Sequence, residues 1–350
     1  MADRAPGVPL SSKTRPAPKV VSAETRPNRT RPALGAARVG DAIYSAVTFL
    51  ASLSIFIIIL WLLWQLVSAS QLSIHHSGWT FLTQSDWNEY TDSYHALAFI
   101  FGTVFSSFIA LVLAVPISIG AAIFLSELAP RWIRTPATFL IELLAAIPSV
   151  IYGLWGIFIL IPFLKKAIVG PIANSRLPHL PVIGGLFTGQ SAGYSMLAAG
   201  SLLAIMVIPF ITAVTRDILR AIPRSQREGS YALGATQWET ISRVVVPYAK
   251  SGIIGAVVLG LGRALGETMA VTMVIGNQFP NTPSGISLSL VSSGYTMASV
   301  LTNKFNEATP GLNISALVEI ALVLFGVTII VNICARLLVF YTAKDVQGRK

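Results

Sequence analysis

The stretch IIGAVVLGLGRALGETMAVTMVIG, residues 253–276, is apolar enough to cross a lipid bilayer, for which about 20 helical residues suffice. Yet Arg263 and Glu267 lie in its middle. At about 1.5 Å of rise per residue, Arg263 is roughly 15 Å from the start of the stretch, close to the membrane centre. A charge at that depth costs at least about 2.5 kcal/mol on insertion scales. The rest of the chain must therefore offer these two side chains a polar environment.

The composition makes this helix one of several in an all-α, polytopic membrane protein. Hydrophobic residues make up 53% of the 350 residues, and charged residues make up 11%. Soluble domains contain roughly 25% charged residues. No Asp, Glu, Lys or Arg occurs between Asp41 and Asp86. We predict six transmembrane helices, at about 42–68, 96–126, 137–164, 193–214, 251–277 and 313–341.

The distribution of Lys and Arg predicts that both termini are cytoplasmic. In that orientation twenty of the 25 basic residues fall on the cytoplasmic side, four on the opposite side, and Arg263 within the membrane. Residues 1–40 are basic and proline-rich without apolar periodicity, so we predict a disordered cytoplasmic tail before a transmembrane domain at 41–350. The tail could contact anionic lipid or only help to set the topology. The net charge of +10 is therefore no indication of a nucleic-acid partner.

A cytoplasmic loop at about 215–250 contains IPRSQREGSYALGATQWETISRVVVPYAK, residues 222–250. Two pairs in it fit capping boxes at helix starts: Ser225 with Glu228, and Thr236 with Glu239. Gly234 is placed to end the first helix, and Pro247 to end the second. So short a first helix is marginal in water and needs a surface to lie against. Its own bundle or a partner's groove could supply that surface, with Tyr231, Leu233 and Trp238 as apolar anchors.

The two intramembrane charges allow two interpretations. On a continuous helix, Arg263 and Glu267 are four residues apart on one face and can form an ion pair. Gly255, Gly262 and Gly266 lie on a neighbouring face and predict close packing by another helix. The charges could fix helix packing, or they could line a translocation pathway, which is what intramembrane charges usually mark. Arg suits an oxyanion such as phosphate, and Glu267 would keep that anion from being trapped. For Glu142 and Glu319 we expect a structural role.

The cytoplasmic loop resembles the EAA loop of permeases from ATP-binding-cassette importers. The resemblance rests on Glu228-Gly229-Ser230, on Gly234-Ala235 three residues later, and on the closing Val246-Pro247. Gly229-Ser230 replaces the usual Ala-Ala. GLGRALGETMAV (260–271) and ELLAAIPSVIYGLWG (142–156) narrow the resemblance to phosphate-specific importers, and within them to the C-type permease. The resemblance covers about residues 40–340.

This resemblance implies a type I importer permease in the bacterial cytoplasmic membrane. Coupling to the ATPase would involve Glu228, Gly234 and Ala235, with Tyr231 and Trp238 as anchors, and Arg263 and Glu267 would line the pathway. The implied partners are a homologous A-type permease, two ATP-binding subunits and an external phosphate-binding protein.

We expect no enzymatic activity and no cofactor in this chain. It has no G-x-x-x-x-G-K-[S/T] phosphate loop, so ATP and Mg²⁺ would be bound by the partner ATPase. Cys334 is the only cysteine, and the four histidines show no metal-ligand spacing, so we expect no metal site. Two alternatives remain: a permease for another oxyanion, such as sulfate or molybdate, and a secondary anion transporter or channel.

Overall fold

Six helical segments of the computed structural model are long and apolar enough to cross a membrane, which confirms the predicted number. They are Gly40–Ser77, Leu97–Leu128, Ser149–Ile172, Met196–Ala221, Gln237–Leu265 and Leu312–Tyr341. The structure describes residues 34–173, 184–187, 193–278 and 287–347. Most of the predicted tail, residues 1–33, lies outside the described residues. Residues 34–40, which we assigned to the tail, belong to the first helix.

Seven helices and a two-stranded hairpin occur in the described residues of the first half of the chain. The helices are α1 Leu34–Ser77, α2 Thr80–Thr83, α3 Leu97–Ile123, α4 Arg131–Ala146, α5 Ser149–Trp155, α6 Ile161–Leu164 and α7 Gly170–Ala173. Strands β1, Trp87–Asn88, and β2, Ser93–Tyr94, pair antiparallel. Three π-helical turns follow α3, α5 and α6, at Phe124–Leu128, Gly156–Leu160 and Lys165–Val169.

The second half contains α8 Met196–Ala221, α9 Arg224–Ala232, α10 Gln237–Thr240, α11 Val246–Leu265, α12 Met269–Val274, α13 Met297–Lys304 and α14 Leu312–Gln347. A 3-10 turn at Gly184–Leu186 precedes α8, and a π-helical turn at Ile241–Val245 joins α10 to α11. The contacts within the chain divide it into two units, of which the first ends at Leu60 and the second begins at Trp61. In the first unit, residues 40–60 are exposed throughout. The packing described below belongs to the second unit.

The predicted single helix at 137–164 is wrong, because Pro148 divides it. Helix α4 ends at Ala146, and Ile147, directly before Pro148, is extended. Proline has no N–H to donate, and it disfavours the helical conformation of the residue before it. Glu142 consequently lies in the separate helix α4 and not in the membrane-crossing segment that begins at Ser149.

The predicted continuous helix at 251–277 is also wrong. Helix α11 ends at Leu265 and α12 begins at Met269, so Gly266, Glu267 and Thr268 form a break inside the apolar stretch. At its other end the helix is longer than predicted, since it runs without interruption from Gln237. Pro247 lies in the first turn of α11, directly after a π-helical turn, and does not end the helix.

Helix α8 is the centre of the core, and glycines set its close contacts. Gly200 faces Ile109 of α3, whose Cγ2 lies 2.5 Å from where a glycine Cβ would be. On α11, Gly260 packs in the same way against Ile211 of α8, at 2.7 Å. The close packing predicted for Gly255, Gly262 and Gly266 stays a prediction, since within the described residues of this chain no other helix lies within 4 Å of where a Cβ on these glycines would be. Small residues do mediate the helix contact, but on a different face of α11.

The end of the membrane domain that carries α12 is closed by loop segments packed onto the start of α8. Ser195 donates its N–H to the Val274 carbonyl at 3.3 Å, and Met196 donates to Ser292 at 3.0 Å. Gly294 in turn donates to Ile275 at 3.3 Å. These bonds tie α12 to segments that are distant in sequence. They hold α12 as a separate helix beyond the break.

Candidate functional site

The break between α11 and α12 separates the two charges that the sequence places side by side. Arg263 is in the last turn of α11, and Glu267 is in the break. Glu267 Oε1 accepts the N–H of Ala270 at 3.2 Å and so caps the first turn of α12. No ion pair joins Arg263 to Glu267 in the described chain. The predicted pair is wrong because the helical periodicity on which it depended stops at Leu265.

The Arg263 guanidinium instead lies over an aromatic ring. Its Cζ is 5.8 Å from the ring centroid of Phe210 in α8, within the range of a cation–π contact. Both Arg263 and Glu267 are partly buried. Among the described residues, Arg263 has neither a carboxylate partner nor a hydrogen bond. In the described structure its five N–H groups therefore remain able to donate hydrogen bonds to a ligand.

The two motifs that carry the resemblance meet at this break. Gly153 of α5 lets α12 approach, since a Cβ there would lie 3.3 Å from the Cα of Ala270 and closer still to Met273. Tyr152 donates its hydroxyl to the Leu144 carbonyl at 2.8 Å, which joins α5 to the end of α4. The same hydroxyl is within electrostatic range of Arg263. The site thus consists of a helix break, a cation and two aromatic rings, assembled from α5, α8 and α11.

At the other end of α11 lies a bent segment that we call the elbow: α9, α10 and the turn between them, residues 224–240. Its corner is Gly234, whose φ of +84° lies in the left-handed region that favours glycine. The capping box of Thr236 with Glu239 is confirmed. The box predicted for Ser225 and Glu228 is wrong, because α9 begins at Arg224, after Pro223.

The elbow presents apolar side chains away from its own bundle. The side chains of Leu233, Trp238 and Tyr231 are exposed by 90%, 67% and 45%. Glu228 is exposed as well, and Ala235 is partly buried. In the described structure the chain's own helix bundle therefore does not cover these three side chains. Apolar groups so placed favour a partner's groove.

The opposite side of the elbow is attached to the bundle by a partly buried ion pair that no local sequence pattern indicated. Arg227 of α9 donates from Nη2 to Glu127 Oε1 at 2.8 Å and from Nε to Glu127 Oε2 at 3.2 Å. Glu127 belongs to the π-helical turn that ends the α3 segment. The two residues are 100 positions apart, so no local spacing could indicate the contact.

A second polar cluster links α4 to α8. Arg216, whose side chain is 6% exposed, donates to Glu142 at 3.2 Å and to Asp217 at 2.9 Å. Glu142 thus joins two helices. Glu319 is a buried residue of α14, and its structural role stays a prediction.

Comparison of the sequence with known proteins gives two concordant results. Residues 114–347 match the model of the family described as binding-protein-dependent transport system inner membrane component. The chain is 46% identical over 310 residues to the phosphate transport system permease protein PstC of Pasteurella multocida, which covers 89% of this chain and 94% of that protein. It is 44% identical over 301 residues to the protein of the same name from Haemophilus influenzae, covering 85% and 93%.

Solved structures resemble the fold at low sequence identity. A chain of a bacterial ABC transporter involved in the import of the acidic polysaccharide alginate matches with a TM-score of 0.55 at 14% identity, over 87% of this chain and 99% of that one. A chain of the MetNI methionine ABC transporter in an inward-facing conformation matches with a TM-score of 0.51 at 18% identity, over 69% and 93%. At such identities the likeness concerns the fold alone.

Proposed function

This chain belongs to the family of binding-protein-dependent transport system inner membrane components, and on that premise we propose that it is the permease subunit of an ATP-driven phosphate importer. It is a multi-pass membrane protein of the all-α importer-permease fold. The substrate assignment, inorganic phosphate moving into the cytoplasm, is supported by relatives named for phosphate transport. Another oxyanion or a secondary transport mechanism is not favoured by these comparisons.

The proposed energy coupling rests on the two sides of the elbow. One side is attached to the membrane domain by an ion pair, and the other exposes apolar side chains. A surface with Leu233 and Trp238 so exposed is suited to be covered by another protein. That protein is the ATP-hydrolysing subunit, whose groove receives the elbow, with Glu228, Gly234 and Ala235 at the corner. The elbow and both termini lie in the cytoplasm, as the distribution of Lys and Arg predicts.

The complete importer contains further subunits. A homologous A-type permease completes the membrane domain, two ATP-binding subunits hold ATP and Mg²⁺, and an external phosphate-binding protein delivers the anion. The described face of α11 with Gly255 and Gly262 is open to a neighbouring helix of the second permease.

At the break, Arg263 meets the phosphate as it passes. The guanidinium provides two parallel N–H groups that match two phosphate oxygens. The ring of Phe210 contacts the guanidinium and so helps to keep it in place. Glu267 does not neutralise Arg263, because its carboxylate caps α12. It remains close along the chain and repels the anion, so that phosphate is released and not retained.

Two experiments test this function. Purification through a tag on this chain should recover an ATPase and a second permease in stoichiometric amounts. In proteoliposomes with the binding protein, labelled phosphate should accumulate only with ATP inside, and excess sulfate should compete poorly. The matched control carries an ATPase whose phosphate-loop Lys is replaced. Phosphate uptake that persists with this control would contradict an ATP-driven importer and favour a channel, and uptake of sulfate alone would contradict the substrate.

A further inference from the structure

The side chain of Arg227 reaches two membrane helices from the elbow. Besides its two bonds to Glu127, it donates from Nη1 to the Ile222 carbonyl and from Nη2 to the Leu219 carbonyl, each at 2.8 Å. Helix α8 ends at Ala221, so these two carbonyls belong to its last turn and the residue after it. Carbonyls at a helix end have no partner within the helix, and a cation there also suits the helix dipole. One guanidinium therefore caps α8 and pairs with the end of the α3 segment.

This contact anchors α9. No residue of α9 is buried, so the helix has no apolar face packed on the bundle. In contrast, the side chains of Arg227 and Glu127 are only 17% and 11% exposed. An ion pair so enclosed, with two-pronged geometry, is held more firmly than a surface pair. The elbow is thus attached to the membrane domain through polar contacts and not through a hydrophobic core.

The second arm of the elbow is tied to the same point. Gln237 of α10 donates its Nε2 to the backbone carbonyl of Glu127 at 3.2 Å. The hydroxyls of Ser230 in α9 and Thr240 in α10 are 2.9 Å apart and hydrogen bonded. Both arms are therefore joined to each other and to the end of α3, so the elbow cannot turn without moving that end.

The attached helices lead directly to the charged break. Helix α8 carries Phe210, which contacts Arg263, nine residues from Leu219 and so about 14 Å further along the helix axis. Helix α3 packs along α8 and is hydrogen bonded to it, since Ser118 donates to the Ile208 carbonyl at 3.2 Å and Thr212 donates to the Ser118 carbonyl at 3.4 Å. A displacement at the elbow is thus passed along two rigid helices to the position of Phe210.

We infer that Arg227 is the positioning residue that transmits elbow movement to α3 and α8, through its pair with Glu127. The inference rests on the proposed function, since the elbow must be moved by an ATPase for transmission to matter. It assigns to Arg227 a task different from that of the exposed anchors. The anchors bind the partner, whereas Arg227 makes the bound elbow and the membrane helices move as one body.

Arginine is specifically suited to this task. Its planar fork contacts a carboxylate and two carbonyls at once, which the single ammonium of lysine cannot do. Arg227→Lys should therefore retain part of the function. Arg227→Gln removes the charge and the fork. Glu127→Gln removes only the carboxylate charge and leaves the bonds to the α8 carbonyls in place.

The test uses the complete transporter in proteoliposomes and measures phosphate uptake per ATP hydrolysed. The matched control is Arg220→Gln, which removes the same charge from an exposed residue of α8 without an ion pair in the described structure. We expect Arg227→Gln and Glu127→Gln to assemble and to hydrolyse ATP. Their uptake of phosphate per ATP should fall by about tenfold or more, because the loss of a hydrogen bond to a charged group has an energetic cost of that size. Arg227→Lys should be intermediate. The double variant should be no worse than either single variant, because both disrupt the same link.

Several outcomes would overturn the inference. Uptake per ATP close to wild type in both single variants would show that the pair transmits nothing, and additive losses in the double variant would show that the residues act separately. Failure of both single variants to assemble would make the pair a requirement for folding and not a link. A wild-type complex that hydrolyses ATP without taking up phosphate would contradict the proposed function instead.

A second measurement does not depend on the substrate. Spin labels are attached to cysteines introduced at Gln226 in α9 and Ile117 in α3, both exposed, in a chain carrying Cys334→Ser. In the otherwise unaltered complex we expect the distance between the labels to stay constant between ATP-bound and ATP-free states, as in one body. In Glu127→Gln it should change with ATP. Equal behaviour of the two proteins would refute the link whatever the transported anion is.

Discussion

Replacing Gly234 tests whether the corner of the elbow is needed for coupling. Its φ of +84° lies in the left-handed region, where an L-residue with a Cβ costs about 1–2 kcal/mol. No described atom lies within 4 Å of where a Cβ would be, so in this chain the cost arises from backbone conformation and not from crowding. A cost of 1–2 kcal/mol lowers the population of the observed corner by about 5- to 30-fold relative to other conformations.

Three substitutions at Gly234 should raise this conformational cost in steps. Asn adopts the left-handed conformation more readily than other non-glycine residues, so Gly234→Asn should be the mildest. Gly234→Ala should cost about 1 kcal/mol or somewhat more, and Gly234→Val, which is β-branched, should lie at or above the upper limit. The six membrane segments contain no part of this corner, so all three variants should insert normally.

The assay compares ATP-dependent phosphate uptake with ATP hydrolysis in the reconstituted complex, after membrane insertion has been verified for each variant. We expect Gly234→Val to uncouple hydrolysis from transport, with uptake lowered about tenfold or more and Gly234→Asn close to wild type. Full uptake by Gly234→Val would refute the docking role of the corner. Equal losses in the Asn and Val variants would show that side-chain volume against the docked partner matters, and not the backbone conformation.

Three further predictions concern other parts of the molecule. Arg263→Gln should sharply reduce phosphate uptake in proteoliposomes, and a normal rate would show that this residue neither guides the anion nor closes the pathway. Gly102→Ala should destabilise the membrane domain by about 1–3 kcal/mol, since the added Cβ would overlap the carbonyl oxygen of Tyr295; an unchanged melting temperature of the purified protein would contradict this. The hydrogen bond from Lys304, at 2.6 Å, holds the pKa of the Glu89 carboxyl below its ordinary value of 4.5. Its stabilising contribution is therefore fully present above that value and is lost as the pH falls through the lower pKa of the folded protein. The stability difference between wild type and Glu89→Gln should be visible near neutral pH and vanish in acid, and a difference independent of pH would argue against the charge interaction.

Local patterns predicted much of the elbow. Gly234 between two polar helical segments indicated the corner, and Thr236 with Glu239 indicated the start of the second arm; both lie where the sequence placed them. These features depend on backbone preferences and on hydrogen bonds between residues three apart, which a short stretch contains completely. Ser225 shows the limit of such patterns, because Pro223 provides an earlier start for α9.

The sequence by itself determined that the chain is a membrane protein with six crossing segments, because hydropathy and length decide how a helix partitions into lipid whatever its neighbours are. Only the tertiary structure decided that Arg263 ends one helix and that Glu267 lies in the break that follows it. The hydrogen bonds that hold α12 as a separate helix are donated by Ser195 and Gly294, and both residues lie outside the stretch 253–276. The tertiary structure likewise decided the pairing of Arg227 with Glu127, since an ion pair across 100 residues forms only after folding brings helix ends together.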